Sequence, residues 1–90
     1  MRFVFDPEKD KQNLARHGLS LAFAEALAWD EALVWVDSRF EYDELRMIAL
    51  VPEGDTLYYV AFVDRGDVRR PISLRQAERR EVKKYVENFN

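Results

Sequence analysis

The 90-residue sequence contains no cysteine, a single histidine, three glycines and three prolines. The missing cysteine removes disulfides, thiolate nucleophiles and cysteine metal sites together, and it fits a reducing compartment. Neither a zinc-type cluster, a glycine-rich phosphate loop nor a nucleophile-elbow motif occurs, so no resident cofactor or metal is expected. Long apolar runs are also missing: none approaches the roughly 20 residues that span a bilayer. The N-terminal stretch MRFVFDPEK reaches charged residues after three apolar ones, too short for a signal peptide. The expectation is a soluble, cytoplasmic protein without membrane contact.

What is present suits a small packed core. Apolar residues make up 48% of the chain and aromatics 13%, above the level of a disordered segment. The length predicts one domain over residues 1–90. The formal charge is -3 and the pI about 5.1, which speaks against non-specific nucleic-acid binding. The charge is unevenly placed, however. Residues 1–64 carry six Lys/Arg against thirteen Asp/Glu, whereas residues 65–90 carry eight against four. A local phosphate site therefore stays open.

RFVF reads as a first strand. In DPEKDKQNLARHG, Asp6 suits an N-cap, Pro7 the first helical position and Gly18 the left-handed stop. Leu14 is the one large apolar anchor of this helix, with Asp10, Asn13 and His17 near it on the wheel, so polar groups are expected to face the body of the protein. SLAFAEALAW predicts a second helix over about 20–29, capped by Ser20. ALVWVD, LRMIALV, TLYYVAFV and VRRPIS read as strands, and the glycine turns PEGD and DRGD predict antiparallel hairpins. Pro71 cannot donate to a ladder, so the last strand is expected to be an edge or bulged there. SLRQ fits a capping box that starts the final helix at Ser73.

RRPISLRQAERREVKKY is the cationic stretch. On a helical wheel Val82, Tyr85, Val86 and Phe89 form an apolar face expected to pack on the sheet, with Leu74 at its margin. Arg80, Lys83 and Lys84 project away from it as a solvated face. Arg75 falls inside the apolar sector and Arg79 on its rim. An inward arginine needs an anion, either a carboxylate of the protein or a phosphate from outside.

The segments FDPEKDKQNLARHG, DELR (43–46), DRG (64–66) and RPISLRQAERREVKKY together resemble the BrnT family, in order and spacing, over nearly the whole chain. The resemblance implies an α+β, RelE-like fold: a curved antiparallel sheet packed against two N-terminal helices and one C-terminal helix. It implies a type II toxin that is a metal-independent endoribonuclease, cleaves RNA and inhibits translation. It also implies a BrnA-like ribbon-helix-helix antitoxin as partner, with DNA bound only through that antitoxin, and a homodimer or a heterotetramer with it as possible assemblies. By residue, Lys9, Asn13 and His17 match the first helical motif; Glu44 and Arg46 the Glu-x-Arg element; Arg65 and Gly66 the turn; Arg70, Ser73, Arg75, Ala77, Glu81 and Tyr85 the terminal motif.

Cleaving RNA without a metal needs a base for the ribose 2′-hydroxyl, cations for the charged phosphorane and an acid for the leaving oxygen. Arg46, Arg65 and Arg75 suit the second task, since a guanidinium can grip phosphate through two bonds. His17 is an acid or base, or a helix-end residue packed on the sheet. Glu44 is a base or the clamp of Arg46, and Tyr85 a phenol at the site or a core residue. Lys9, Arg70, Ser73 and Arg79 complete the expected RNA contacts. The competing reading is a catalytically degenerate module that only docks an antitoxin-like regulator. The acidic balance, Asp43 and Pro71 motivate it.

Overall fold

The structure, a computed structural model, describes residues 1–39, 41 and 43–89. Strand β1 (Arg2–Phe3) leads into helix α1 (Pro7–His17), followed by two 3-10 segments, Leu21–Ala26 and Trp29–Glu31. Strands β2 (Leu33–Val36), β3 (Met47–Glu53), β4 (Thr56–Arg65) and β5 (Val68–Gln76) come next, then helix α2 (Arg79–Asn88). The sheet order is β1-β5-β4-β3-β2. β2 to β5 run antiparallel, but β1 pairs with β5 in parallel. The sheet is therefore mixed, not purely antiparallel as expected. Gly54 and Gly66 close the two hairpins with φ of 61° and 58°, a region that penalises any Cβ.

The caps of α1 form as the sequence predicts. The Asp6 carboxylate accepts from the Glu8 N–H, and Gly18 donates to the Leu14 carbonyl in a left-handed conformation. Polar groups of this helix face the body as expected, but Leu14 is not its anchor. Leu14 is exposed, and Asn13 is the buried residue. The Asn13 amide donates to the carbonyls of Leu19 and Leu74, each at 2.8 Å, and accepts from the Leu74 N–H at 3.0 Å. One side chain thus serves as a short extra strand along the open edge of β5, where β1 has already ended.

Each face of the sheet carries one cluster. Leu21, Ala24, Leu27, Ala49, Val51, Val60, Phe62 and Leu74 fill the inner face under the 3-10 segments. Ile48, Leu50, Tyr59 and Ala61 lie on the opposite, more open face. The stretch expected as a helix over 20–29 forms 3-10 turns instead. Its buried residues fall at 21, 24 and 27, and a three-residue period is that of the 3-10 helix.

The C-terminal helix departs most. Strand β5 continues to Gln76, so Ser73 is a strand residue. Glu78 is the true N-cap, in a reciprocal capping box with Glu81. Leu74 belongs to the inner cluster, on the face away from α2. Val82, Val86 and Phe89 are exposed, and of the expected apolar face only Tyr85 packs against the open-face cluster. Pro71 produces the expected bulge: Ala61 pairs with Ser73 but Phe62 with Pro71, leaving Ile72 unmatched.

Asn13→Ala would leave the buried Leu74 N–H and C=O without partners. At about 1–3 kcal/mol for an unsatisfied buried group, a loss of roughly 2–4 kcal/mol is expected. Urea unfolding should show a lower midpoint at unchanged slope. An unshifted midpoint would show that the amide does not hold the β5 edge.

Candidate active site

Helical and strand geometry bring several of the predicted residues into one trench. Lys9, Asn13 and His17 follow at intervals of four, so they share one face of α1. With Asn13 fixed to β5, Lys9 and His17 are set beside the same strand. At the bulge, Ile72 and Ser73 both face the trench, which is how a bulge re-aims side chains.

Three adjoining cavities meet at Ile72. The first holds Lys9, Asn13, Arg16, His17 and Ser73. The second holds Asp6, Lys9, Arg46, Arg70 and Pro71. The third, of about 340 Å³, holds Glu44, Arg46, Val63 and Arg70, and is by itself within the range of small-molecule sites. The bulge brings Arg70 and Arg75, five residues apart, to the same open face: Arg70 is paired with Val63 and Arg75 with Tyr59 in the register. Arg46 lies immediately before β3, and its carbonyl accepts from the Asp37 N–H.

Glu44 organises the far end of the trench. It accepts from Arg65 Nε at 2.7 Å and from Arg70 Nη2 at 2.6 Å. Chiefly the Arg65 hydrogen bond, with help from Arg70 and against a desolvation cost, holds its carboxyl below the usual range. Glu44 therefore clamps Arg65 and Arg70, a different pair from the expected Arg46, and a carboxylate so stabilised is a poor proton acceptor. Arg65 itself is largely exposed at the rim.

Arg75 sits on a strand and not at a helix start. Its guanidinium lies 3.9 Å from the Tyr59 ring centroid and meets both Glu81 oxygens at 2.8 and 2.9 Å. The anion it needs is thus supplied by α2. The hydrogen bonds to Glu81 raise the Arg75 pKa despite burial. Burial pushes the Glu81 carboxyl up, but Arg75 and the Glu78 N–H outweigh it and the net shift is down.

Four predicted residues line none of the three cavities: Arg65 and Arg75, placed above, and Tyr85 and Arg79. The Tyr85 hydroxyl donates to the Glu31 carbonyl, and burial raises its pKa, so the phenol is tied into the packing of α2. Arg79 is exposed on the first turn of α2. Arg80 and Lys84 do not form a purely solvated face. Together with Trp35, Asp37, Arg39 and Tyr59 they line a separate pocket on the open face. Sequence reasoning missed Asp37 and Arg39; the strand-end D-x-R spacing is the one signal that marks them.

His17 titrates below its ordinary value of 6.5, first because of burial, then because of Arg16 and Arg75. Its ring is neutral near pH 7 and can accept a proton. Because folding disfavours the protonated ring, the unfolded chain binds that proton more readily. His17 therefore lowers stability as pH falls through its unfolded value of about 6.5. The imidazole NMR midpoint should lie below 6.5 and rise in Arg75→Ala, where Glu81 is left uncompensated nearby. A midpoint at or above the ordinary value would remove the cationic environment from the description.

No curated protein matches the chain. A family model described as the ribonuclease toxin BrnT of type II toxin-antitoxin systems matches residues 5–81, a span that includes both α1 and the bulged β5 strand. On that match the chain belongs to the BrnT ribonuclease toxins of type II toxin-antitoxin systems.

Proposed function

We propose that this chain is a RelE-like endoribonuclease that cleaves RNA without a metal, slows translation in the cytoplasm and is neutralised by a BrnA-like ribbon-helix-helix antitoxin. The observation that carries this reading is the trench at the Ile72 bulge. It gathers a neutral histidine, a lysine and three arginines around a strand edge.

In the proposed reaction His17 takes the proton of a ribose 2′-hydroxyl. That oxygen attacks the adjacent phosphorus, the 5′-oxygen leaves with a proton from the cationic wall or solvent, and a 2′,3′-cyclic phosphate forms. Lys9, Arg46 and Arg70 neutralise the phosphorane, where charge develops and preorganised donors act most strongly. Glu44 holds the Arg70 fork in one orientation, and Ser73 offers a hydroxyl to a phosphate oxygen. Arg75 contributes positive potential from its seat on Tyr59. Arg65 at the rim and Arg79 on α2 meet the flanking backbone.

A second reading has its own observation. Glu44 occupies two of the five candidate arginines and Glu81 a third. A degenerate module that only docks the antitoxin would tolerate arginines held this way.

Expression without antitoxin separates the two: the enzyme arrests growth and the module does not. Purified protein with EDTA should yield RNA fragments ending in 2′,3′-cyclic phosphates. His17→Ala should lower the rate about 10²–10⁴-fold, and Arg70→Ala about 10²–10³-fold. The wild-type rate should rise with pH through the lowered His17 pKa and level off above it. Well-folded wild-type protein that gives neither fragments nor arrest would leave the docking module as the function.

A further inference from the structure

The pocket under α2 lies on the same sheet face as the trench, one side-chain layer further along. Ser73 pairs with Ala61, and Arg75, two residues on, pairs with Tyr59; that step is roughly 7 Å along a strand. Its volume is about 310 Å³, and Trp35, Ile48 and Tyr59 line it. Above this floor stand three cations, Arg39, Arg80 and Lys84.

Its acidic residues are committed inside the protein. The Asp37 side chain is only 2% exposed and grips Arg39, whose own side chain is 63% exposed. Arg39 donates Nε to Asp37 Oδ1 at 2.8 Å and Nη2 to Asp37 Oδ2 at 3.0 Å, and Nη2 also reaches the Tyr59 hydroxyl at 3.3 Å. Glu81 is taken by Arg75. A buried carboxylate that fixes an exposed arginine at the mouth of an aromatic-floored pocket is a preorganised anion receptor. Fully paired Asp37 and Glu81 leave the outward donors of the cations as what a ligand meets.

We infer that this pocket is a nucleotide subsite of single-stranded RNA, holding a nucleotide that flanks the one cleaved in the trench. The inference rests on the ribonuclease reading above. Arg75, between trench and pocket, faces the connecting backbone. Trp35 takes the base and Arg39 the phosphate. Lys84 Nζ now lies 3.9 Å from the Trp35 ring centroid. A base stacked on an aromatic ring gains more than an exposed cation–π contact does. The base therefore displaces the flexible lysine, whose ammonium swings to the phosphate. This assignment also gives a role to Arg80 and Lys84, one turn apart on α2, which both line the pocket; Arg80 stands exposed at its mouth, held by Glu78.

The test measures binding of a 2′-O-methyl hexanucleotide, which cannot be cleaved, against a 2′-O-methyl dinucleotide, which fills the trench alone. Arg39→Lys keeps the charge over buried Asp37 but loses the fork; Lys84→Ala and Trp35→Phe are surface and conservative companions. Wild-type protein should bind the hexamer at least about tenfold more tightly than the dimer. Arg39→Lys and Lys84→Ala should remove most of that advantage while leaving dimer binding unchanged, and Trp35→Phe should retain it. An advantage that survives in Arg39→Lys and Lys84→Ala overturns the subsite, even if wild-type protein cleaves RNA. Variants that keep hexamer affinity but lose the antitoxin overturn it too, in favour of a protein-docking pocket. Failure of the wild type to cleave any RNA, with the hexamer advantage present and pocket-dependent, would count against the reaction and support the subsite.

Discussion

The contact between Asn13 and the Leu74 backbone is the joint on which the site depends. β1 covers only two residues of the outer edge of β5, so the edge beyond Pro71 would otherwise present unpaired backbone groups. A side-chain amide carries a donor and an acceptor at the same spacing as a peptide, and Asn13 uses both. Docking a helix by one polar residue in the middle of its face leaves the residues four positions either side beside the strand but not under it. Those residues are Lys9 and His17. An apolar anchor at 13 would fill the same seat but leave the strand edge unsatisfied, at a cost of about 1–3 kcal/mol for each buried group.

The arginines on the open face show a second constraint. Arg65, Arg70 and Arg75 are each held by a carboxylate, yet pairs as exposed as Arg65–Glu44 add little stability. Their effect is on geometry: a tethered fork loses less conformational freedom when it meets a phosphate. Glu81 does more, because it ties Arg75, the α2 capping box and the strand together. Tyr85 supplies the other fastening of the helix, through Glu31. With those ties α2 stands off the sheet far enough to leave the Trp35 pocket beneath it, instead of burying its apolar stripe.

Much of the sheet was legible because its signals are local. The two glycine turns, the β-branched runs and the caps at Asp6 and Gly18 each act over a few residues. The failures share a cause, in that long-range burial overruled a local preference. Ser73-x-x-Gln76 and Glu78-x-x-Glu81 are both capping-box patterns, and a cap is worth about 1 kcal/mol. Burying Leu74 on the inner face is worth about 1.5–3 kcal/mol, so the strand ran on and the helix began at the later box. Likewise LAFAEALAW has strong helix formers, but it must deliver 21, 24 and 27 to one surface. Leu14 misled for the converse reason, since hydrophobicity alone does not reveal that a strand edge nearby needs an amide. Of the site, the trench cations and His17 were readable from motif order, whereas the clamping of Arg70 by Glu44 joins segments distant in sequence, and the Asp37–Arg39 pair, though only two residues apart, stands out only once Asp37 is seen to be buried.

An acidic chain and a phosphate-binding surface are compatible once charge is read by position. Exposed charges farther apart than about 8–10 Å are largely screened at physiological salt, so the -3 balance says little about the trench. Asp6, Glu41 and Asp43 also line the trench; of the acidic side chains there and in the α2 pocket, Glu44 holds two arginines, and Asp37 and Glu81 one each. Each such carboxylate lowers the local charge but fixes an arginine whose remaining donors point outward. A surface built this way attracts polyanions weakly at a distance and binds them through oriented contacts at close range. On the proposed ribonuclease reading, that favours a short, defined stretch of RNA over general adhesion to nucleic acid.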